Sequence, residues 1–187
     1  MLKRFIGSRL SAFERRYQYD MSYLRQVLKI RLRAFLAFAP VTKLSSYRDG
    51  LPVDAWYAAK LAATLHEDCG PCTQLVVRMA EEAGVSHTVL RSILKRDFEQ
   101  LNASAALGLR YAEGVLTNAP GLDSLRDEVR NQWGDRGLVS LAFGITASRL
   151  FPTLKRALGY AQHCSTLGVD GEPIAFTRPT TTAGSSA

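Results

Sequence analysis

Cys69 and Cys72 stand two residues apart in the run Cys69-Gly70-Pro71-Cys72, which opens a segment of helical periodicity. Two thiols at that spacing in the first turn of a helix can close an intramolecular disulfide where their side chains converge. The unpaired N–H groups and the positive dipole end at such a place favour thiolate over thiol. Gly70 permits a tight entry into the helix, and Pro71 suits its first turn, where a missing N–H is harmless. The chemistry to expect is thiol redox. By position in the helix alone, Cys69, nearer the cap, gains most from the free N–H groups.

Four neighbours could exchange a proton with the pair or orient a substrate: His66, Glu67, Asp68 and Gln74. Glu67 or Asp68 could equally cap the helix, and His66 could sit in solvent or in the core. A structural zinc site would need about four ligands. No second Cys-x-x-Cys or His-x-x-x-His follows, and Cys164 beside His163 would have to join from a distance. Neither a metal nor a cofactor is expected.

The elements that carry these residues are read from periodicity. Leu and Ala recur through the 187 residues and no long stretch alternates apolar with polar, so an all-helical fold in one globular unit is expected. Leu2, Phe5, Ile6, Leu10, Phe13 and Tyr17 make one apolar stripe on a first helix whose other face is basic. That stripe suits packing on the domain or on a sister subunit, with contact to a membrane surface as the lesser alternative. Tyr23, Leu24, Val27, Leu28, Leu32, Phe35 and Leu36 predict a helix from Asp20 toward Phe38, ended by Pro40.

Asp54 is placed to cap a helix containing Trp56, Leu61, Ala62 and Leu65 that runs into His66-Glu67-Asp68. The cysteine helix carries Leu75, Val76, Met79 and Ala83 and stops at Gly84. Ser86 then caps a helix with Val89, Leu90, Ile93 and Leu94, giving a helical hairpin with the cysteines at one end. Further helices are expected over 103–116 and 123–133. A last one opens at Asp135-Arg136-Gly137, with a kink or a new start at Pro152. The organisation expected is therefore an N-terminal helical extension over 1–50, a core over 51–168, and a tail over 169–187 that is flexible or straps a neighbouring subunit.

Three cysteines are too few for a disulfide-stapled secreted scaffold. Arg9, Glu14, Arg15 and Arg16 interrupt the apolar run that a signal peptide needs, and the apolar stretches over 34–40 and 138–147 fall short of the roughly 20 residues of a membrane span. A soluble, cytoplasmic protein is expected. The net charge of +7 raises the question of nucleic acid. Lys3, Arg4, Arg9, Arg15, Arg16, Arg25, Lys29, Arg31 and Arg33 are spread along helical repeats without a recognition motif, so a solvated or subunit-facing surface is expected and no nucleic-acid partner.

The tetrapeptide is that of thioredoxin, but a thioredoxin fold places a strand directly before it, whereas residues 55–65 here are helix formers. A helix leading into His66-Glu67-Asp68-Cys69-Gly70-Pro71-Cys72-Thr73-Gln74-Leu75-Val76-Val77, then Ala80-Glu81-Glu82-Ala83-Gly84-Val85, resembles the alkylhydroperoxidase-D-like, or carboxymuconolactone decarboxylase, family. The resemblance covers residues 52–93 well, and Arg110-Tyr111-Ala112 and residues 137–149 more loosely.

It implies a helical protein that assembles into dimers, trimers or hexamers and reduces peroxides by cycling a cysteine pair; the function expected is a thiol peroxidase or disulfide oxidoreductase acting on a small peroxide or a disulfide, with an external dithiol as reductant. It also implies Cys72 as the peroxide-reducing thiol and Cys69 as its resolving partner. Peroxidatic members carry a His four residues after the second cysteine and a Glu about twelve before the first, as a proton relay. Val76 and Tyr57 occupy those places here. That departure leaves a redox sensor or scaffold with little turnover as an alternative; a second is a decarboxylase or lyase like the branch of the family that uses no cysteine pair, against which Cys69 and Cys72 argue.

Overall fold

The computed structural model describes residues 1–163 and 166–177. Its helices are α1 (Leu2–Tyr17), α2 (Ser22–Ile30), α3 (Leu32–Phe38), α4 (Val41–Ser46), α5 (Val53–His66), α6 (Gly70–Glu82), α7 (His87–Lys95), α8 (Ala103–Thr117) and α9 (Leu122–Ala157). A two-stranded hairpin, β1 (Leu167–Val169) and β2 (Glu172–Ile174), follows them. Among the described residues the fold is all-helical apart from that hairpin.

Helix α5 is the hub, because every residue from Ala55 to Leu65 is buried. A helix apolar all round can only be a core helix, and Ala55, Ala58, Ala59, Ala62 and Ala63 let its neighbours come close. Helix α8 comes closest at Gly108, where an added Cβ would lie 2.4 Å from the Ala55 carbonyl oxygen. Helices α6, α7 and α9 and the hairpin complete this core through Val77, Leu90, Ile93, Leu141, Ile145, Leu167 and Val169.

A second apolar cluster gathers Leu10 of α1 with Tyr19, Met21, Tyr23, Leu24 and Leu28. It packs on Leu75 of α6 and on Phe151 and Leu154 of α9, so the N-terminal helices lie against the cysteine helix. The α1 stripe is covered only in its second half: Leu10 is buried, while Leu2 and Phe5 are exposed.

Three expectations are corrected. The helix expected from Asp20 to Phe38 is two helices, because Arg31 is extended at φ −156°, ψ 120°. That residue re-aims the chain so that Phe38 meets Phe151 edge to face at 5.3 Å. Pro152 does not restart α9, whose one departure from helical φ/ψ is Gly134, at φ 67°, ψ −175°, where a helix ending at Trp133 and one opening at Asp135 meet across a kink, as the sequence predicts. Only glycine takes that conformation readily, and the break falls between Trp133 and Asp135.

The third correction concerns the tail. Its first part, through Thr177, packs on this chain's own α6 and α7, where Val169 is fully buried and Ile174 nearly so. Asp170 and Gly171 both have positive φ, 56° and 73°, as a type I′ turn demands. The remainder of the expected tail, residues 178–187, lies outside the described residues, as does Cys164.

Asp54 sits in the first turn of α5 and accepts a hydrogen bond from Asn102 Nδ2 at 2.7 Å, while Pro52 holds the cap position. Ser86 caps α7 as expected, its hydroxyl accepting from Val89 N at 3.3 Å. By length and composition α9 could cross a membrane. Of its most apolar window, 44% is buried inside the fold.

Candidate functional site

The chain leaves α5 at His66 and enters α6 at Gly70 through one tight corner. Asp68 takes a left-handed conformation there, φ 48°, which Asp tolerates better than most side chains. The corner closes through Asp68 N donating to Leu65 O at 3.0 Å and Cys69 N donating to Thr64 O at 3.3 Å. Cys69 is thereby the N-cap of α6, with Pro71 in its first turn.

Cys69 and Cys72 are joined as a disulfide, with Cα atoms 5.2 Å apart. Both are buried, yet they face different surroundings. Cys69 lines a cavity of about 240 Å³ with His66, Glu67, Asp68, Pro152, Arg156 and His163. Cys72 faces the second apolar cluster, and its sulfur lies 3.7 Å from the Tyr19 hydroxyl. A disulfide sulfur has no hydrogen, so Tyr19 is the donor.

Glu67 is clamped rather than free. Arg149 Nε donates to its Oε1 at 2.7 Å, and Arg156 donates to Oε2 at 3.0 Å and to the backbone oxygen at 2.8 Å. The two arginines are seven residues apart, on one face of α9. Burial pushes the Glu67 carboxyl up, but the two guanidiniums outweigh it and hold the group below its ordinary value. At neutral pH Glu67 therefore has no proton to give, and its geometry suits anchoring the corner to α9.

His66 lies in the wall between the Cys69 cavity and a larger one of about 440 Å³, which Arg96, Arg110 and Glu113 also line. Burial and the nearby Arg149 charge keep its imidazole below the ordinary value, against the pull of Glu67. It is accordingly neutral at pH 7, able to accept or pass a proton at the cavity. Asp68 Oδ2 and His163 Nδ1, both lining the cavity, are hydrogen-bonded at 2.7 Å.

Gln74 turns away from the sulfurs to the hairpin, donating to Gly168 O at 3.0 Å and accepting from Gly168 N at 2.8 Å. So His66, Glu67 and Asp68 line the Cys69 cavity, while Gln74 holds a neighbouring element.

Three groups at this site escaped the sequence reading: Tyr19, Lys155 and the Arg149/Arg156 pair. For Lys155 a signal existed. Leu141, Ile145, Ser148, Pro152 and Lys155 recur every three or four residues and all are buried, so a lysine stands in an apolar register. Tyr19 carried none, since it lies in the link after α1. Val76 and Tyr57 are both buried.

No protein-family model matches the chain, and no curated protein or solved structure matches it.

Proposed function

We propose that this protein is a thiol oxidoreductase of the alkylhydroperoxidase-D-like kind, turning over Cys69 and Cys72 between dithiol and disulfide with a small peroxide as oxidant. The observation that carries the reading is the asymmetry of the pair: Cys69 borders a cavity of about 240 Å³, and Cys72 sits behind it under a hydroxyl donor. Such a pair separates the sulfur met by a partner thiol from the sulfur that holds charge.

In the cycle, the Cys72 thiolate attacks the peroxide, its O–O bond breaks, and the alkoxide leaves with a proton to become an alcohol. The resulting sulfenic acid condenses with the Cys69 thiol, releasing water and forming the disulfide. An external dithiol reduces it, one thiolate attacking Cys69 Sγ and the second displacing Cys69 from the mixed disulfide. His66, at the cavity wall, is placed to carry the proton in the absence of the usual relay at Val76 and Tyr57.

The reading includes a reducing, cytoplasmic compartment and assembly of several copies. The exposed Phe143 and Tyr47, whose rings meet at 5.6 Å, and Val139 near them give apolar surface suited to assembly.

The burial of both sulfurs favours a second reading, a redox sensor whose disulfide alters assembly without turnover. Adding stoichiometric hydrogen peroxide to the reduced chain and following disulfide formation and peroxide loss, with and without excess dithiol, separates the two. Turnover lost in Cys72→Ser and in Cys69→Ser supports the enzyme. Peroxide consumption that persists with both cysteines changed ends it, and a single slow oxidation with a change in oligomer size favours the sensor.

A further inference from the structure

Tyr19 lies in the link between α1 and α2, buried, with its hydroxyl on Cys72 Sγ at 3.7 Å. Tyr23, in the first turn of α2, is buried in the same apolar cluster as Tyr19. Behind them stands Lys155 of α9, 2% exposed, its Nζ 4.8 Å from the centre of the Tyr19 ring and 5.5 Å from that of Tyr23. A buried ammonium over two ring faces is held by their quadrupoles and polarises the attached hydroxyls.

The other charged groups around the rings are Asp20 in the same link, the Glu14–Arg25 pair between α1 and α2, and Arg78 of α6, which donates to the Tyr17 and Gln18 carbonyls. Asp20 is the counter-charge nearest in sequence to the rings, and it is engaged by Ser22.

We infer that Tyr19 is a catalytic hydrogen-bond donor to the Cys72 thiolate and that Lys155 is the positioning residue behind it, a device that takes the place of the missing His and Glu. The inference rests on the thiol cycle proposed above. When a dithiol's thiolate attacks Cys69 Sγ from the cavity, a new S–S bond forms there, the Cys69–Cys72 bond breaks, and its electron pair goes to Cys72 Sγ. The Tyr19 hydroxyl lies 3.7 Å from that atom where the charge arrives, both residues being 4% exposed, and the Lys155 ammonium is the positive charge behind it. Burial pushes the Tyr19 phenol up to about 12, so it keeps its proton and acts as donor, not as base.

The test uses the full chain with Cys69→Ser and Cys164→Ser, leaving Cys72 as the single thiol, and reads thiolate absorbance and iodoacetamide rate against pH. Tyr19→Phe is expected to raise the Cys72 pKa by about one to two pH units, the worth of one hydrogen bond to a charged acceptor. Lys155→Met should raise it as well, and Lys155→Arg should restore most of the effect. A Cys72 pKa unchanged in Tyr19→Phe, with native far-UV circular dichroism, overturns the inference. Should Lys155→Met not fold, Tyr19→Phe and Lys155→Arg still decide. Peroxide turnover plays no part in the readout. A pKa that moves in a protein without peroxidase activity upholds the Tyr19 contact and sinks the cycle, and an unmoved pKa in an active enzyme does the reverse.

Discussion

The Gln74 side-chain amide grips both backbone groups of Gly168, donating to its carbonyl and accepting from its N–H across 94 positions of sequence. It thereby pairs with β1 as a third strand would. Gln74→Ala removes both bonds from a partly buried place and should lower stability by about 1–3 kcal/mol. Gln74→Glu keeps the acceptor and should lose less. Denaturant midpoints give the cost, and hydrogen exchange at the Gly168 amide locates it; exchange as slow as in the parent would refute the pairing.

Glu67 ties the α5–α6 corner to α9 through Arg149 and Arg156. Its side chain is 7% exposed but the arginines are about half exposed, so solvent screens part of the attraction. Glu67→Gln should cost about 1–3 kcal/mol at pH 7. The sign with pH follows from a folded-state pKa held below the ordinary 4.5. The stabilisation is complete above the unfolded value and disappears as pH falls through the folded one. The gap between parent and variant should therefore narrow and close as pH falls below the ordinary carboxyl value of 4.5, which urea titrations at several pH values would measure.

Lys60 is the opposite case, a buried cation with no carboxylate partner among the described residues. Its ammonium donates to Ser45 O at 2.9 Å and sits 4.1 Å from the Trp56 ring centre, and burial lowers it to about 8. Between about 8 and the ordinary 10.5 the unfolded chain holds a proton that the folded one lacks, so stability rises with pH across that window. Lys60→Met should be more stable than the parent by about 1–3 kcal/mol at pH 7, an advantage that shrinks toward pH 10. Thermal melts of both chains from pH 7 to 10 check it, and a constant difference would refute it.

Gly108 marks the closest approach of α8 to α5. A Cβ there would meet Ala55 O, Cα and C at 2.4, 2.8 and 2.9 Å, all backbone atoms that cannot swing aside. Gly108→Ala should lower stability by about 2 kcal/mol or more. Gly7→Ala on α1, with nothing within 4 Å, should raise it by about 0.5–1 kcal/mol. Equal midpoints for the two variants would contradict the helix contact.

Most helices were legible because each buries one face, so Leu75, Val76 and Met79 or Val89, Leu90, Ile93 and Leu94 repeat at the period of the helix. Stops were legible where chemistry demands one residue type, as at Gly84 and Ser86. The break at Arg31 was not, because it serves the contact of Phe38 with Phe151, and tertiary packing leaves no local mark. The hairpin is too short to alternate visibly, although Asp170-Gly171 is a turn signal in its own right. At the site, the cysteines and their corner were readable as one local stretch. Tyr19, Arg149, Lys155 and Arg156 reach it from 50 or more residues away, where only the fold brings them.

Adjacent residues of α6 face the two ends of the chain: Leu75 packs on the N-terminal cluster, and Gln74 holds the hairpin that ends the described fold. A nascent chain emerging from the ribosome has the N-terminal part of the Leu75 lining made before the cysteine helix, and the hairpin made after every helix. Until Gly168 emerges, the Gln74 side must wait for its lining. The disulfide-bearing helix is thus made midway along the chain and finished only when the hairpin arrives.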